Sequence, residues 1–139
     1  SVHLACWPSA LIVQEDQGLT RRWEHFLNLR DRAMKALEEQ RSQGRIGSPL
    51  EAQVRLSISD PMLRQLCEAH RETLAEAFVV SEVHVEHQPD GLIGVAVERA
   101  PGAKCQRCWR YQRSVGMSSA HPQLCERCVA VVTTMMGDR

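Results

Sequence analysis

Two CxxC pairs are the feature that most limits what this chain can fold into. They form the pattern C-x2-C-x16-C-x2-C, with thiols at Cys105, Cys108, Cys125 and Cys128. A CxxC turn presents two sulfurs on one side, so two such turns can supply the four ligands of one tetrahedral zinc ion. Because four protein ligands fill the coordination sphere, we expect one structural zinc with no open position for catalysis.

Two other uses of these residues compete with this interpretation. A pair of redox disulfides is disfavoured, because a redox motif is normally a single CxxC at a helix start in a βαβ unit. His121 could replace a thiolate ligand, but four cysteines already satisfy zinc, so we predict an exposed loop residue. Cys6 and Cys67 have no CxxC partner and lie among apolar residues. Both are predicted to be small core residues.

Length and composition predict an ordinary globular chain. With 139 residues, 43% of them hydrophobic, it suits one domain or two very small ones. The apolar stretch SVHLACWPSALIV has no basic start, contains a proline and is far shorter than a membrane span. We therefore expect no signal peptide and no membrane partner. Reduced cysteines then favour the cytoplasm or an organelle matrix.

The first part of the chain predicts a long amphipathic helix. Residues 20–43 carry apolar side chains at spacings of three and four, with charges between them. Thr20 is the predicted N-terminal cap, and Gly44 is placed to end the helix. The predicted buried stripe consists of Trp23, Phe26, Leu27, Met34 and Leu37.

The middle of the chain predicts a small α/β unit. Ser48, Pro49 and Glu51 form a capping-box pattern that starts a short helical turn, followed by alternation typical of a strand over residues 54–58. A second helix is predicted from Asp60 to Ala77. The turn QPDG separates two further predicted strands, over residues 77–87 and 92–100. The predicted inner residues of the second helix are Met62, Leu63, Leu66 and Leu74.

Charge is separated along a chain that is neutral as a whole. Residues 98–128 hold six basic and two acidic residues, a net charge of +4, whereas the remainder holds eleven basic and fifteen acidic residues, a net −4. Four thiolates with one zinc contribute −2, which leaves the finger at about +2. This asymmetry favours an anionic partner for one end of the chain.

Arginines alternate with aromatic residues around the cysteines, a composition that suits phosphate contacts and base stacking. For Trp109 a second role, covering the zinc site as a small core, is equally compatible with the sequence. No glycine-rich phosphate loop and no nucleophile elbow is present, so no catalytic residue is predicted. The predicted nucleic-acid contacts are Arg107, Trp109, Arg110, Tyr111, Arg113 and Arg127.

The stretches KCQRCWRY and LCERCV resemble the C-terminal zinc-binding segment of bacterial and organellar isoleucyl-tRNA synthetases. Residues 29–54 resemble the end of that family's helical anticodon-binding domain, and VHLACWP resembles the segment leading into it. The resemblance implies an α+β chain divided into the end of a helical anticodon-binding domain (1–47), a small α/β junction (48–100) and a four-cysteine zinc ribbon (101–139). Its four cysteines carry over as the metal ligands.

The resemblance further implies that the chain is part of an ATP-dependent ligase, namely the part that binds the anticodon side of its tRNA. The expected partner is the anticodon stem-loop of an isoleucine-accepting tRNA and not DNA, and the expected state is a monomer. The HIGH and KMSKS signatures that bind ATP in such enzymes are absent. ATP and magnesium are therefore expected only in the longer enzyme, and this chain alone should activate no amino acid.

Two alternatives remain at the level of sequence. Formamidopyrimidine-DNA glycosylases carry a finger with the same cysteine spacing that touches DNA, but they depend on an N-terminal Pro-Glu region that this sequence does not show. The IGSPLEA stretch favours the synthetase instead. The other alternative is a zinc ribbon that acts only as a structural or protein-interaction clip.

Overall fold

The fold is α+β, as predicted. A computed structural model describes residues 4–6, 16–89, 91 and 93–137. A long helix α1 (Gln17–Ser42) leads through a 3-10 turn (Pro49–Glu51) to a three-stranded sheet with two helices, and a small ribbon follows. The remaining elements are β1 (Ala52–Ile58), α2 (Pro61–Ala69), α3 (Arg71–Ala77), β2 (Glu82–His87), β3 (Gly94–Arg99), β4 (Ala103–Lys104), β5 (Tyr111–Gln112) and α4 (Glu126–Gly137).

Helix α1 begins earlier than the sequence suggested. Asp16 is the N-cap, and its carboxylate accepts a hydrogen bond from the backbone N–H of Leu19 at 3.0 Å. The prediction that Thr20 caps the helix is wrong, because Thr20 lies inside it and donates its hydroxyl to the Asp16 carbonyl at 3.1 Å. The predicted end is confirmed: Gly44 has φ +70 and donates its N–H to the Arg41 carbonyl at 3.0 Å.

Only part of the predicted apolar stripe of α1 is buried. Leu37 lies in the core and Phe26 and Met34 pack against it, but Trp23 is 55% exposed and Leu27 53% exposed. For these two residues the prediction of burial is wrong. Together with Leu19 they line an apolar groove of about 410 Å³ between the start of α1 and helices α2 and α3.

The predicted three-stranded sheet is confirmed, with β1 in the centre. It pairs in parallel with β2 and antiparallel with β3, in the order β2-β1-β3. Alternate residues of β1 are fully buried beneath the helices, whereas those between them face the open side of the sheet. Strand β2 begins at Glu82 and not at Ala77, because helix α3 continues to Ala77 and Phe78–Val80 form a turn.

The predicted second helix is two helices. Its cap is confirmed, since the carboxylate of Asp60 accepts from the N–H of Met62 at 2.8 Å and of Leu63 at 3.2 Å. The helix breaks at His70, which has φ −118 and ψ 28 and stands between α2 and α3. Leu74 is buried as expected, but Met62 is 81% exposed, so its predicted inward position is wrong.

The two cysteines outside the CxxC pairs have different environments. Cys67 on α2 is fully buried, which confirms its predicted core position, whereas Cys6 is exposed, which contradicts the prediction for it. Among the described residues, no helix combines the length and the apolar character needed to cross a bilayer.

Candidate metal centre and nucleic-acid interface

The four predicted ligands converge at one point. The sulfur atoms of Cys105, Cys108, Cys125 and Cys128 all lie within 4.8 Å of one another, and those of Cys108 and Cys125 are 3.7 Å apart. Zinc–sulfur bonds of about 2.3 Å in a tetrahedron require sulfur atoms about 3.8 Å apart. The geometry and the donor set therefore fit a four-cysteine metal site, as the spacing predicted. His121 lies outside this cluster, in a loop as predicted, but it is half-buried and not exposed.

Backbone hydrogen bonds shape the two cysteine turns and join them. In the first turn, Trp109 donates its N–H to the Cys105 carbonyl at 2.9 Å, and Cys105 donates to the Arg110 carbonyl at 2.9 Å. Gln106 reaches across to the Gln123 carbonyl at 3.1 Å. The second pair of ligands stands at the start of α4. The ligand positions are thus fixed by the backbone of both turns.

The thiol pKa values indicate what a bound cation would change at this site. Burial raises the pKa of Cys125 to about 12, helped by the neighbouring thiols, and burial likewise raises that of Cys108. For Cys105, burial is outweighed by backbone hydrogen bonds from Cys108, Cys125 and Arg107, which lower its pKa to about 6. Several thiolates this close cannot coexist without a positive charge between them. A metal held by the four sulfur atoms would supply that charge and so keep the thiols ionised.

The ribbon has a small core that does not include Trp109. Three of the ligand cysteines are buried, with Val115 and Leu124 packed against them. Trp109 is 59% exposed and has the left-handed backbone angle φ +65. Lys104 places its Nζ 5.7 Å from the centre of the indole ring, within cation–π range. Of the two roles left open for Trp109, the structure favours the exposed surface.

A close approach of two strands holds the base of the ribbon together. Gly102 has φ +88, and a Cβ atom added there would lie 2.4 Å from the backbone carbon and oxygen of Gln112. Only glycine therefore fits between β4 and β5 at this point. This role of Gly102 in strand packing depends on the placement of β5, which the local sequence around the glycine does not reveal.

Ser81 ties the ribbon to the α/β unit. Its side chain is buried, its hydroxyl donates to the Leu50 carbonyl, and its Oγ accepts the N–H of Tyr111 at 2.7 Å. Gln112 adds a longer contact from its Nε2 to the Ser81 carbonyl at 3.5 Å. No sequence signal pointed to this link, because Ser81 and Tyr111 come from separate segments with no shared motif.

The six predicted nucleic-acid contacts have different settings in the ribbon. Trp109, Arg113 and Arg127 are exposed, and Arg110 and Tyr111 are half-buried. The guanidinium of Arg107 donates to the sulfur of Cys128 at 3.8 Å, so this residue also serves the metal site. All except Arg107 and Trp109 also line a cleft of about 610 Å³ between the ribbon and α3.

Comparison with known proteins identifies both the finger and the chain around it. Residues 102–131 match the family described as "Zinc finger found in FPG and IleRS". The chain is 43% identical to the isoleucine–tRNA ligase of Syntrophotalea carbinolica over 96% of its length, and 37% identical to that of Kosmotoga olearia over 99%. It is 36% identical to isoleucine–tRNA ligase 1 of Oceanobacillus iheyensis, also over 99%.

The chain spans only about 15–16% of the length of these relatives. The similarity nevertheless extends well beyond the finger, through the sheet and the long helix. The chain is therefore homologous to the C-terminal region of isoleucine–tRNA ligases, which are aminoacyl-tRNA synthetases, and carries the zinc finger of that family.

Proposed function

We propose that this chain is the part of an isoleucine–tRNA ligase that binds the anticodon side of the tRNA. The observation that carries the proposal is the exposed indole of Trp109 beside the basic residues of a ribbon whose wider family includes tRNA ligases. An indole on the surface can stack on an unpaired base, and the anticodon loop presents unpaired bases.

The ribbon is one contact within a larger surface. A charge of about +2 steers RNA only weakly, so affinity has to come from placement as well as from attraction. The Ser81 link supports this view, because it fixes the ribbon against the sheet and so presents Trp109, Arg110 and Arg113 in a defined orientation.

The apolar groove on α1 supports the predicted division of the chain. Trp23 and Leu27 are large apolar side chains left at the surface of this region. They suit packing against further helices, so residues 1–47 would be the end of a helical anticodon-binding domain. Residues 48–100 would form the junction and 101–139 the zinc finger. The relatives, about six times longer, have ample chain to supply those helices.

The chemistry of ligation would belong to the rest of the longer polypeptide. We propose one structural zinc in the present region, with ATP and magnesium bound elsewhere in the enzyme, and a monomer in the cytoplasm or an organelle matrix. Isoleucine-dependent exchange of pyrophosphate into ATP should stay at background for the 139-residue chain by itself. Exchange by the pure chain would contradict this division of roles.

The finger alone does not separate tRNA from DNA, because its family covers both kinds of protein. The identity of 36–43% is taken over 96–99% of the chain, far more than the finger, and this favours the ligase. A purely structural clip is the remaining alternative. It gains some support from the bond between Arg107 and Cys128, which uses a basic residue for the site itself.

Binding measurements on the complete polypeptide that contains this region test the proposal. Arg110→Ala and Arg113→Ala should each weaken tRNA binding by about 1 kcal/mol and reduce its salt dependence. Arg99→Ala, at an exposed arginine of β3 in the junction, is the matched control. Zinc content is measured in every variant. If affinity and aminoacylation survive both ribbon changes, and crosslinks place the ribbon away from the anticodon arm, the ribbon is a structural clip.

A further inference from the structure

The cleft between α3 and the ribbon is lined by side chains from both of them. Buried Ala75, Ser81 and Val83 lie in its lining from the α/β unit, and half-buried Arg110 and Tyr111 face it from the ribbon. At about 610 Å³ it is large enough for a planar ring with its attached sugar.

Its charged residues are evenly divided between the two signs. Four arginines line the cleft, and none of them forms an ion pair within the part of the chain that the structure describes. Four glutamates line it too, and of these only Glu82 has a partner there, in His84 at 3.2 Å. The arginines are Arg71, Arg110, Arg113 and Arg127, and the glutamates are Glu72, Glu76, Glu82 and Glu126.

This mixture discriminates between kinds of anionic partner. The phosphates of a duplex would meet the glutamates as well as the arginines, so a backbone lying along the cleft is disfavoured. A base has N–H donors on its edge that carboxylates can accept, and its phosphate can remain at arginines near the cleft mouth. The half-buried ring of Tyr111 offers a face for stacking.

We propose that the cleft receives one unstacked nucleotide of the RNA that the ribbon binds, with α3 forming half of the site. The proposal rests on the RNA-binding function proposed above. Arg71 would contact a phosphate from the side opposite the ribbon, and Glu72 and Glu76 would accept hydrogen bonds from the base edge. Helix α3, which no sequence motif marks, thereby becomes a determinant of which base is accepted.

Substitutions on α3 test the cleft without touching the ribbon. In the zinc-loaded complete polypeptide, Arg71→Ala should weaken binding of an anticodon stem-loop about fivefold for every loop sequence, since a phosphate contact carries no base information. The double variant Glu72→Gln, Glu76→Gln should instead reduce the difference in affinity between loops that carry different bases, by about fivefold. Arg99→Ala and Glu68→Gln are controls of the same type, on exposed sites of β3 and α2 that lie outside the cleft.

Crosslinking shows which protein residues the bound nucleotide contacts. For this, 4-thiouridine is placed at one loop position at a time. A crosslink to residues 71–77 that disappears in competition with unlabelled stem-loop supports the site on α3. If crosslinks are confined to the ribbon and the α3 variants bind like the unmodified protein, the proposed nucleotide site in the cleft is wrong. RNA binding by the ribbon would still stand. Absence of any stem-loop binding, with zinc present at one per chain, would overturn both proposals.

Discussion

The hydroxyl of Ser81 accepts the backbone N–H of Tyr111 at 2.7 Å while donating its own proton to the carbonyl of Leu50. One buried side chain thus satisfies a polar group of the ribbon and another of the α/β unit. A buried group that loses its partner costs more than an average hydrogen bond contributes. The Ser81 hydroxyl is therefore the shorter of two side-chain links between the units, beside the 3.5 Å contact from Gln112 to the Ser81 carbonyl.

Ser81→Ala should lower the free energy of unfolding of the zinc-loaded protein by about 1–3 kcal/mol, because it leaves two backbone groups without their partner. Urea titration followed by circular dichroism measures the change. Ser42→Ala, which removes an exposed hydroxyl bonded to the Glu39 carbonyl, is the control and should change stability by less than about 0.5 kcal/mol. Equal effects of the two substitutions would show that water replaces the Ser81 hydroxyl without loss.

Gly102→Ala should destabilise the ribbon more than Gly44→Ala does. Both glycines have positive φ, so both substitutions introduce backbone strain of about 1 kcal/mol. Only at Gly102 does the added methyl meet backbone atoms, at 2.4 Å, whereas at Gly44 nothing lies within 4 Å. We expect a loss above about 2 kcal/mol for Gly102→Ala in thermal unfolding of the zinc-loaded protein. Similar losses at the two sites would contradict the close packing of β4 and β5.

Removal of the metal should unfold the ribbon and spare the rest of the described fold. The ribbon core consists mainly of the ligands themselves with Val115 and Leu124, too little apolar material to stay folded without metal. Elemental analysis should find one zinc per chain. After chelation, hydrogen exchange should accelerate in residues 103–131 and remain slow in β1, the central strand. Protection of the ribbon without metal would contradict this expectation.

Zinc affinity should fall as pH falls, and fall more steeply below about pH 6. Zinc binds thiolates, so every thiol that is protonated in the metal-free protein must release its proton. Cys125, with its pKa at about 12, and Cys108, with its pKa raised, are protonated near neutrality. Cys105, with its pKa at about 6, is already ionised there and takes up a proton only below that value. Competition titrations with a chromogenic chelator from about pH 5.5 to 8 measure the slope.

Cys67 should resist alkylation in the folded protein. Burial, with a smaller effect of Glu68, raises its pKa to about 11, so only roughly 0.1% of it is thiolate at pH 8. Iodoacetamide should modify exposed Cys6 at least about 100-fold faster, as followed by peptide mass spectrometry. Denaturation should bring the two rates together. Fast modification of Cys67 in folded protein would show that α2 opens readily.

The parts of the structure that local chemistry decides were predictable. The cysteine spacing predicted the ligand cluster, and Asp60 before Pro61 predicted the start of α2. Each CxxC turn and the helix cap depend on residues within one or two turns of each other. The error at Thr20 has the same origin, since Asp16 is an equally good cap four residues earlier and the longer helix makes more hydrogen bonds.

Properties that depend on distant segments could not be predicted. Trp23 and Leu27 have the helical spacing of a buried stripe, but whether a stripe is covered depends on what lies opposite it. The Ser81 link and the cleft beside it likewise join residues that come together only when β2 and β5 are placed. Periodicity within one segment carries no information about such contacts.

The left-handed backbone conformation of Trp109 bears on the reason for an indole at this position. At φ +65 the position would suit glycine best, and with most of its surface in water the ring contributes little to the ribbon core. Neither chain geometry nor core packing calls for an aromatic residue. The variant Trp109→Gly should therefore fold at least as well as the unmodified chain. Any function that the variant loses can then be attributed to the loss of the indole ring.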